Sequence, residues 1–406
     1  MKRKEFIKTS LALMISPLVC ADLFSSVRTD AYNIKPVRIG FIGCGGRGTS
    51  VISEMSRNSN LHIIALADLF QDKLDRALET VNKLNLAKGL SAVKPENIYR
   101  GESAYKQLLA NKDVDAVLIS TPAYAHPFIF EAAVKENKHI YCEKPSAHDV
   151  YGTLKILECS SGISDKSVTF GYQIRYASPF QEMVKRIHDG AIGDIVTVQL
   201  FYNSCEVPQN KPIGTSDDEF RIRNHFHFLN LSGGILNDQA IHMLDVCNWV
   251  LESTPMSAIG LCNKKGNLGF GDTYTNYQII YEYPKSINVA LQCYQVGPEF
   301  GDVSARFIGT KGWAETHYSG GVFIKGEHPW KAENGNGIFD ADTNKGKSFV
   351  DSIQSKRYIN EIKAGTNSTL TALLGREAAI SGKKVYWDDL IAKKENLSPN
   401  LNLKQF

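Results

Sequence analysis

The hydrophobic pattern of the chain changes character about halfway along. In the first half, short apolar runs at residues 37–42 and 61–68 are separated by a stretch with helical spacing. Strand, helix, strand is the natural assignment, because a short and continuous apolar run is typical of a strand that is buried on both faces. The same alternation predicts helices at 71–84, 104–110 and 128–136 and strands at 116–120 and 139–142. This order predicts a parallel sheet with helices on both faces.

After about residue 190, apolar and polar residues alternate one by one, as they do in strands with one exposed face. This pattern predicts an antiparallel sheet in a second domain. Two later segments, 351–363 and 370–381, have helical spacing, and the Gly/Asn-rich segment 320–347 is predicted as a loop region. The predicted strands of the second domain are 195–202, 277–283, 287–294 and 303–309.

The first 35 residues differ from the rest of the chain. Lys2, Arg3, Lys4 and Lys8 precede an apolar stretch at 11–19. This layout is typical of an export signal, and the apolar stretch is too short for a stable membrane anchor. The basic run resembles a twin-arginine signal in which lysine replaces the second arginine. We therefore predict a leader at 1–35 and a periplasmic protein without a transmembrane domain; a cytoplasmic protein with a basic N-terminus is the alternative.

Charge and cysteine content argue against two classes of partner. The chain has 46 basic and 43 acidic residues, and outside the leader the two kinds are equal in number. A basic face for nucleic acid is therefore not expected. The eight cysteines form neither a C-x-x-C pair nor a His/Cys cluster with zinc spacing, so we predict free thiols and no metal.

A glycine-rich turn, G-C-G-G-R-G, follows the first predicted strand and fits G-x-G-x-x-G. In a dinucleotide-binding turn, Gly43 would permit the tight turn, Gly45 the approach of a pyrophosphate, and Gly48 close packing of helix on strand. Asp68 ends the second predicted strand, where a carboxylate accepts hydrogen bonds from ribose hydroxyls. This arrangement predicts an NAD-binding Rossmann domain. The cofactor contacts predicted here are Gly43, Gly45, Gly46, Arg47, Gly48 and Asp68.

Asp68 also predicts which nicotinamide cofactor is bound. The 2′-phosphate of NADP would face this carboxylate with like charge, and no arginine follows in 69–71. We therefore expect NAD in preference to NADP.

Three further segments carry a family resemblance: S-T-P-A-Y-A-H at 120–126, C-E-K-P at 142–145 and G-G-I-L-N-D-Q-A-I-H at 233–242. In this order they resemble the Gfo/Idh/MocA family of glucose–fructose oxidoreductases and inositol dehydrogenases, across nearly all of 36–390. The resemblance implies that the lysine of E-K-P and the helix with D-x-x-x-H meet at the nicotinamide. It thus implies catalytic roles for Lys144, Asp238 and His242. The cofactor contacts that it implies are Thr121, Pro122, His126, Glu143 and Lys144.

The chemistry of these residue types supports the implied roles. Residues 238 and 242 are one helical turn apart and project from the same helix face. Histidine is suited to remove a hydroxyl proton near neutral pH, and a lysine cation favours the developing alkoxide. Two alternatives for His242 are a hydrogen-bonded core histidine and a metal ligand together with Asp238, although no third ligand is evident from spacing.

Two segments are candidates for the substrate wall. R-I-R-N-H-F-H-F at 221–228 mixes basic and aromatic residues, which suits a sugar cleft, with a structural loop as the alternative. G-Y-Q-I-R at 171–175 resembles the family's strand near the nicotinamide. We predict that Arg175 binds substrate together with Asp238 and His242.

Together these observations predict an α/β protein with a Rossmann domain at 36–160 and an α+β domain at 161–406. The second domain is expected to bind substrate, and its open, largely antiparallel sheet is expected to mediate a homo-oligomer, a dimer or a tetramer. The predicted reaction is hydride transfer between a secondary alcohol of a sugar, glycoside or cyclitol and NAD. One alternative is a glycosidase that oxidises its sugar only transiently with bound NAD. The other is a non-catalytic nucleotide- or sugar-binding protein.

Export and NAD binding together lead to one more expectation. An exported dehydrogenase cannot draw on free NAD outside the cytoplasm, so it would fold around NAD before export and hold it through repeated turnovers. We therefore expect the purified protein to contain nicotinamide cofactor.

Overall fold

The N-terminal part of the chain is built on a six-stranded sheet in which all paired strands are parallel. The computed structural model describes residues 35–210, 215–266, 269–297 and 301–406, so the predicted leader lies outside it except for Lys35. The strands are β1 (Val37–Ile42), β2 (Leu61–Asp68), β3 (Ile98–Arg100), β4 (Ala116–Ile119), β5 (His139–Cys142) and β6 (Val168–Phe170). Their order is β3-β2-β1-β4-β5-β6, so the chain adds strands on one side of β1 up to β3 and on the other side from β4 onward. The point between β1 and β4 is the switch point at which doubly wound sheets bind ligands.

Five helices accompany this sheet, and they include the three helices whose ranges were predicted from the hydrophobic pattern. The two strands β3 and β6 were not predicted, since each has only three residues. Because β6 belongs to the sheet, the parallel sheet extends past residue 160, where the sequence placed the domain boundary. The helices are α1 (Gly46–Asn58), α2 (Gln71–Ala87), α3 (Ala104–Ala110), α4 (His126–Lys135) and α5 (Val150–Glu158).

The C-terminal part contains a nine-stranded sheet. The strands are β7 (Ile195–Ser204), β8 (Ser257–Asn263), β9 (Asn276–Tyr283), β10 (Ile287–Gln295), β11 (Asp302–Gly309), β12 (Gly312–His317), β13 (Val322–Gly326), β14 (Trp330–Lys331) and β15 (Val385–Tyr386). Their order is β14-β13-β12-β11-β7-β10-β9-β8-β15, and β10 with β7 is the parallel pair among otherwise antiparallel neighbours. This confirms the predicted, largely antiparallel sheet and the α/β class.

One face of this sheet is covered by helices, whereas the other is open. On β9, Tyr277, Ile279 and Tyr281 are buried, while Gln278 and Ile280 between them are exposed. A Cβ on Gly375 would clash with the Tyr281 hydroxyl, so the covering helix packs closely on this strand. The helices of the C-terminal part are α6 (Ser178–His188), α7 (Asp217–Arg223), α8 (Leu229–Ser232), α9 (Ile241–Leu251), α10 (Ala341–Gln354), α11 (Ile362–Ser381) and α12 (Trp387–Lys393).

Two predictions for the last third of the chain were wrong. Residues 320–347 were predicted as a loop region, but they contain β13, β14 and the start of α10. The glycine in α10 is a packing requirement, because a Cβ on Gly346 would lie 2.9 Å from Cα of Met55 in α1. Residues 355–361, predicted as helix, instead separate α10 from α11.

The described ranges contain no membrane-spanning helix, no disulfide and no metal-binding cluster. Within them, no helix has both the length and the apolar character needed to cross a bilayer. Their seven cysteines are all free thiols, and Cys44, Cys142, Cys247 and Cys293 are buried. The same ranges contain no group of three or more His, Cys, Asp or Glu residues that could hold a metal ion.

Candidate active site

A cavity of about 640 Å³ lies between the carboxyl edge of the parallel sheet and the C-terminal domain. One wall is formed by the loops that follow β1, β2, β4 and β5. The opposite wall includes a π-helical segment, Leu236–Ala240, that leads directly into α9. The cavity therefore opens at the switch point of the sheet, which is the place expected for a dinucleotide.

The glycine turn has the shape that a dinucleotide requires. Gly43 has a φ of +87°, and a Cβ there would lie 2.6 Å from the backbone of Ser120. A Cβ on Gly48 would lie 2.6 Å from the Gly43 carbonyl oxygen, so glycine permits the close approach of α1 to β1. In contrast, a Cβ on Gly45 or Gly46 would meet no described atom within 4 Å. The cavity side of the turn is therefore open to a phosphate, as the cofactor needs.

The N-terminus of α1 adds to this fit. The helix begins at Gly46, and no side chain of the described residues caps it. Its first backbone N–H groups lack partners within the helix and carry the positive end of the helix dipole. They are therefore available to bind an anion such as a pyrophosphate.

Asp68 is held in place at the end of β2. Its Oδ2 accepts a hydrogen bond from Cys44 N at 2.7 Å, and its Oδ1 accepts one from Phe70 N at 2.9 Å. Burial raises the pKa of this carboxyl above its ordinary value, and the two backbone donors oppose that effect. Each carboxylate oxygen has further acceptor capacity, so Asp68 can still accept hydrogen bonds from ribose hydroxyls.

Lys144 extends from the loop after β5 to the opposite wall. Its Nζ donates to the backbone carbonyl of Asp238 and lies 3.5 Å from Oδ1 of the same residue. The two side chains are only 15% and 12% exposed. The ammonium is therefore fixed where the π-helical segment meets α9.

His242 lies in the first turn of α9 on the same wall as Asp238. Its ring centroid is 6.4 Å from that of Tyr202 and 6.1 Å from that of Tyr318. Nδ1 is buried and has no hydrogen-bond partner among the described residues. Burial, together with the positive charges of Lys144 and Arg47, holds the pKa of His242 well below its ordinary value. The imidazole is therefore neutral at neutral pH and can accept a proton.

A cluster of charged residues lies behind the E-K-P turn. Arg47 pairs with Asp342 of α10 at 2.9 Å and lies 3.4 Å from Glu143. Lys345, which is fully buried, lies 3.2 Å from Asp342 and 3.8 Å from Glu143. Burial raises the pKa of Glu143, but the positive charges of Arg47, Lys345 and Lys144 outweigh burial and the net pKa is lowered. The cluster therefore connects the glycine turn, the E-K-P turn and α10.

Two residues of the predicted site lie elsewhere. Nδ1 of His126 lies 2.7 Å from the backbone oxygen of Pro145, and its Nε2 lies 2.7 Å from that of Thr121, so His126 connects two loops. Arg175 forms two hydrogen bonds with buried Asp245, at 2.8 and 2.9 Å, and does not line the cavity in the described structure. Its predicted contact with substrate therefore has no support in this arrangement. The predicted residues that do line the cavity are Gly43, Gly45, Gly46, Arg47, Gly48, Asp68, Thr121, Pro122, Glu143, Lys144, Asp238 and His242.

Other residues of the cavity wall were not assigned from sequence. Tyr202 comes from β7, and Tyr318 follows β12. Gln173, rather than Arg175, is the residue of G-Y-Q-I-R that reaches the cavity, and its Nε2 donates to the Tyr318 hydroxyl at 2.6 Å. No local signal distinguishes Tyr202 or Tyr318 among the 17 tyrosines of the chain.

Two family models match this chain. The first, described as an oxidoreductase family with an NAD-binding Rossmann fold, matches residues 37–162. The second, the Gfo/Idh/MocA C-terminal domain, matches residues 180–315. Together they cover β1 to β5 of the parallel sheet, β7 to β11 of the nine-stranded sheet and most of the residues that line the cavity.

Individual relatives agree with the family match. The chain is 24% identical to inositol 2-dehydrogenase 3 of Saccharopolyspora erythraea over 278 residues, which is 68% of this chain and 72% of that protein. It is 31% identical to a glycosyl hydrolase family 109 protein of Solibacter usitatus over 151 residues, 36% of this chain and 34% of that protein.

Solved structures share the fold. The crystal structure of aldose-aldose oxidoreductase from Caulobacter crescentus, complexed with glycerol, superposes with a TM-score of 0.69 at 20% identity. The match covers 87% of this chain and all of that one. The chain therefore belongs to the Gfo/Idh/MocA family of oxidoreductases and has that family's NAD-binding Rossmann fold.

Proposed function

We propose that the protein oxidises a secondary alcohol of a sugar, a glycoside or a cyclitol and uses NAD as its redox cofactor. The observation that carries this proposal is that Lys144, Asp238 and His242 line the same cavity as the glycine turn. A fold can be preserved without such a set of residues, because function resides in the site and not in the fold. Their convergence therefore favours an enzyme over a non-catalytic binding protein.

His242 is the group suited to remove the hydroxyl proton, because it is buried and neutral and lines the cavity. Lys144 would stabilise negative charge that develops on the same oxygen. Asp238 orients Lys144 through its backbone carbonyl and its carboxylate. Bound NAD, held by the glycine turn and Asp68, would accept the hydride from the carbon.

The low pKa of His242 predicts the pH dependence of the reaction. A depressed pKa keeps the base neutral as pH falls through about 6.5, the ordinary histidine value. The acidic limb of the kcat/KM profile should therefore lie below that value. Replacing Lys345 with methionine removes a cation that lowers this pKa, so Lys345→Met should move the acidic limb upward. A wild-type limb at or above the ordinary value would contradict this assignment.

The wall opposite the glycine turn supports a ring-shaped polyol as substrate. Tyr202, Tyr318, His225 and Phe226 line the cavity and present flat rings. Such rings pack on the apolar faces of sugars, while their polar atoms bond hydroxyls. The inositol dehydrogenase among the relatives makes cyclitols the first compounds to test.

A redox-dependent glycosidase is the second candidate, and the partial match to a glycosyl hydrolase family 109 protein favours it. The two candidates differ in their products. A panel of cyclitols, monosaccharides and aryl glycosides should be incubated with the protein and NAD, and both NADH and aglycone should be measured. Accumulation of NADH supports the dehydrogenase, whereas aglycone release without net NADH supports the glycosidase.

We also propose that copies of the chain associate through the open face of the nine-stranded sheet. Ile259, Leu261 and Ile280 are 49%, 71% and 42% exposed, and Ile259 pairs with Ile280 in the sheet. Exposed apolar residues that are contiguous on one face are typical of an interface. Light scattering should show a dimer or tetramer, and Leu261→Glu should shift it toward the monomer. A wild-type monomer at micromolar concentration would contradict the proposal.

For localisation, we propose that residues 1–35 direct export to the periplasm. The basic residues followed by a short apolar stretch support this proposal. Fractionation of the native host and sequencing of the mature N-terminus would test it. Intact protein confined to the cytoplasm would contradict it.

A further inference from the structure

The end of the cavity where Asp68 lies is covered by residues from the C-terminal part of the chain. In a Rossmann domain the carboxylate at the end of the second strand faces the adenosine ribose, so this is the adenosine end. Phe70 and Gly101 line it from the Rossmann side, and Arg223 and Leu403 line it from the other side. Arg223 belongs to α7 and Leu403 to the segment 399–406. We call α7 and this segment the adenosine cap.

The two parts of the cap are bonded to each other. The Oδ2 atom of Asp218 in α7 accepts hydrogen bonds from Asn402 N at 3.0 Å and from Gln405 Nε2 at 3.1 Å. Arg221 donates to the backbone oxygens of Asn400 at 2.9 Å and Pro399 at 2.8 Å. Four residues of the segment are therefore hydrogen-bonded to α7, so the two parts would move together.

The cap contacts the turn that follows Asp68 at the end of β2. Arg223 bonds the carboxylate of Asp72 at 2.7 Å, and its guanidinium lies 4.1 Å from the ring centroid of Phe70. Phe406 packs edge-on against the same Phe70 ring at 5.2 Å. Phe70 is thereby only 8% exposed, although it lies just two residues beyond Asp68.

These contacts are of a kind that can open. The Arg223–Asp72 pair is partly exposed, with 40% of the Asp72 side chain accessible, and such pairs contribute little net stability. The apolar contacts of Leu403 and Phe406 involve a single short segment. A closed but openable cover over one half of a bound ligand slows its release without being part of the chemistry.

We propose that the adenosine cap encloses the adenosine half of bound NAD and limits the rate at which the cofactor leaves. Leu403 would pack against the adenosine, and Arg223 with Phe406 would hold Phe70 and the Asp68 loop in the closed position. The proposal rests on NAD binding alone and does not depend on which alcohol is oxidised. It gives the expected retention of cofactor a structural basis.

The test is the release rate of NADH from the full chain. Protein loaded with NADH is mixed with a large excess of NAD, and the loss of bound nicotinamide fluorescence gives the rate constant. The double variant Leu403→Ser/Phe406→Ala should release NADH roughly tenfold faster or more, the order expected when a buried apolar contact is lost. Asp218→Ala should change the rate in the same direction, because it removes the bonds from α7 to Asn402 and Gln405 and leaves only those of Arg221.

Lys404→Ala is the matched control, since Lys404 lies in the same segment with an exposed side chain. Its release rate should equal that of the wild type. Thermal unfolding of each variant without cofactor establishes that it is folded, and if the double variant is not, Asp218→Ala decides. Unchanged release in the folded variants, or equal acceleration in Lys404→Ala, would overturn the proposal. None of these readouts requires turnover, so they remain informative if the proposed reaction is wrong.

Discussion

Replacing His242 with alanine should lower kcat by about 10²–10⁴, the range typical of a lost general base. The effect should fall on turnover and not on cofactor binding, because a catalytic group acts mainly in the transition state. Lys144→Ala should cause a loss of similar order, since Lys144 is the cation fixed at the same wall. Steady-state kinetics with NAD and the best substrate of the panel, together with the dissociation constant for NAD, provide the measurement.

His328→Ala is the matched control for His242→Ala, because His328 is exposed and does not line the cavity among the described residues. It should retain wild-type turnover. If His242→Ala kept near wild-type turnover with NAD bound, histidine would not be the base and Lys144 would become the candidate. If the variant failed to fold, the core-histidine alternative would be the better account.

NAD should bind tenfold or more tightly than NADP, and Asp68→Ser should narrow that ratio. The reason is electrostatic: two like charges near 4 Å repel by about 1 kcal/mol in water and by about 4 kcal/mol at the effective dielectric of a protein surface. Asp68 is partly buried and lines the cavity, so the repulsion is screened less than at an open surface. Titration of both nucleotides against wild type and variant gives the two ratios.

The ratio is the appropriate readout, because Asp68 also accepts hydrogen bonds from Cys44 N and Phe70 N. Losing these bonds should weaken the binding of both nucleotides, whereas losing the charge changes only their relative affinity. Asp75→Asn is the control, since Asp75 is an exposed carboxylate on α2 and does not line the described cavity. Equal wild-type affinities for NAD and NADP would contradict the assignment.

The glycine turn and Asp68 could be predicted from sequence because their geometry is local. Gly43 and Gly48 each meet a steric requirement of one strand-to-helix turn, Gly45 leaves the cavity side of that turn open, and the turn follows β1 directly. Asp238 and His242 were identified through the family resemblance, and their separation along one helical stretch indicated that both lie at the same wall. The parallel sheet was also predictable, because its longer strands are continuous apolar runs.

Residues that reach the site through tertiary packing could not be predicted. Arg175 looked free to bind substrate, but its partner Asp245 lies on α9, 70 residues away. Tyr202, Tyr318 and Leu403 enter the cavity from elements whose distance from the Rossmann domain depends on how the two sheets pack. The first part of α10 was missed for a related reason, since Gly346 looks like a helix breaker until its contact with Met55 is known.

Hydride transfer from a secondary alcohol to NAD can be tested by following the substrate hydrogen itself. A cyclitol or sugar deuterated at its ring carbons should be incubated with the protein and NAD, and the nicotinamide cofactor should then be examined by mass spectrometry. We expect NADH that carries one deuterium from the substrate, a ketone product of equal amount, and loss of both in His242→Ala. With a glycoside labelled in the same way, cleavage of the glycosidic bond without net NADH, with the deuterium of the oxidised carbon back in the sugar, would contradict the dehydrogenase assignment in favour of the transient-oxidation glycosidase.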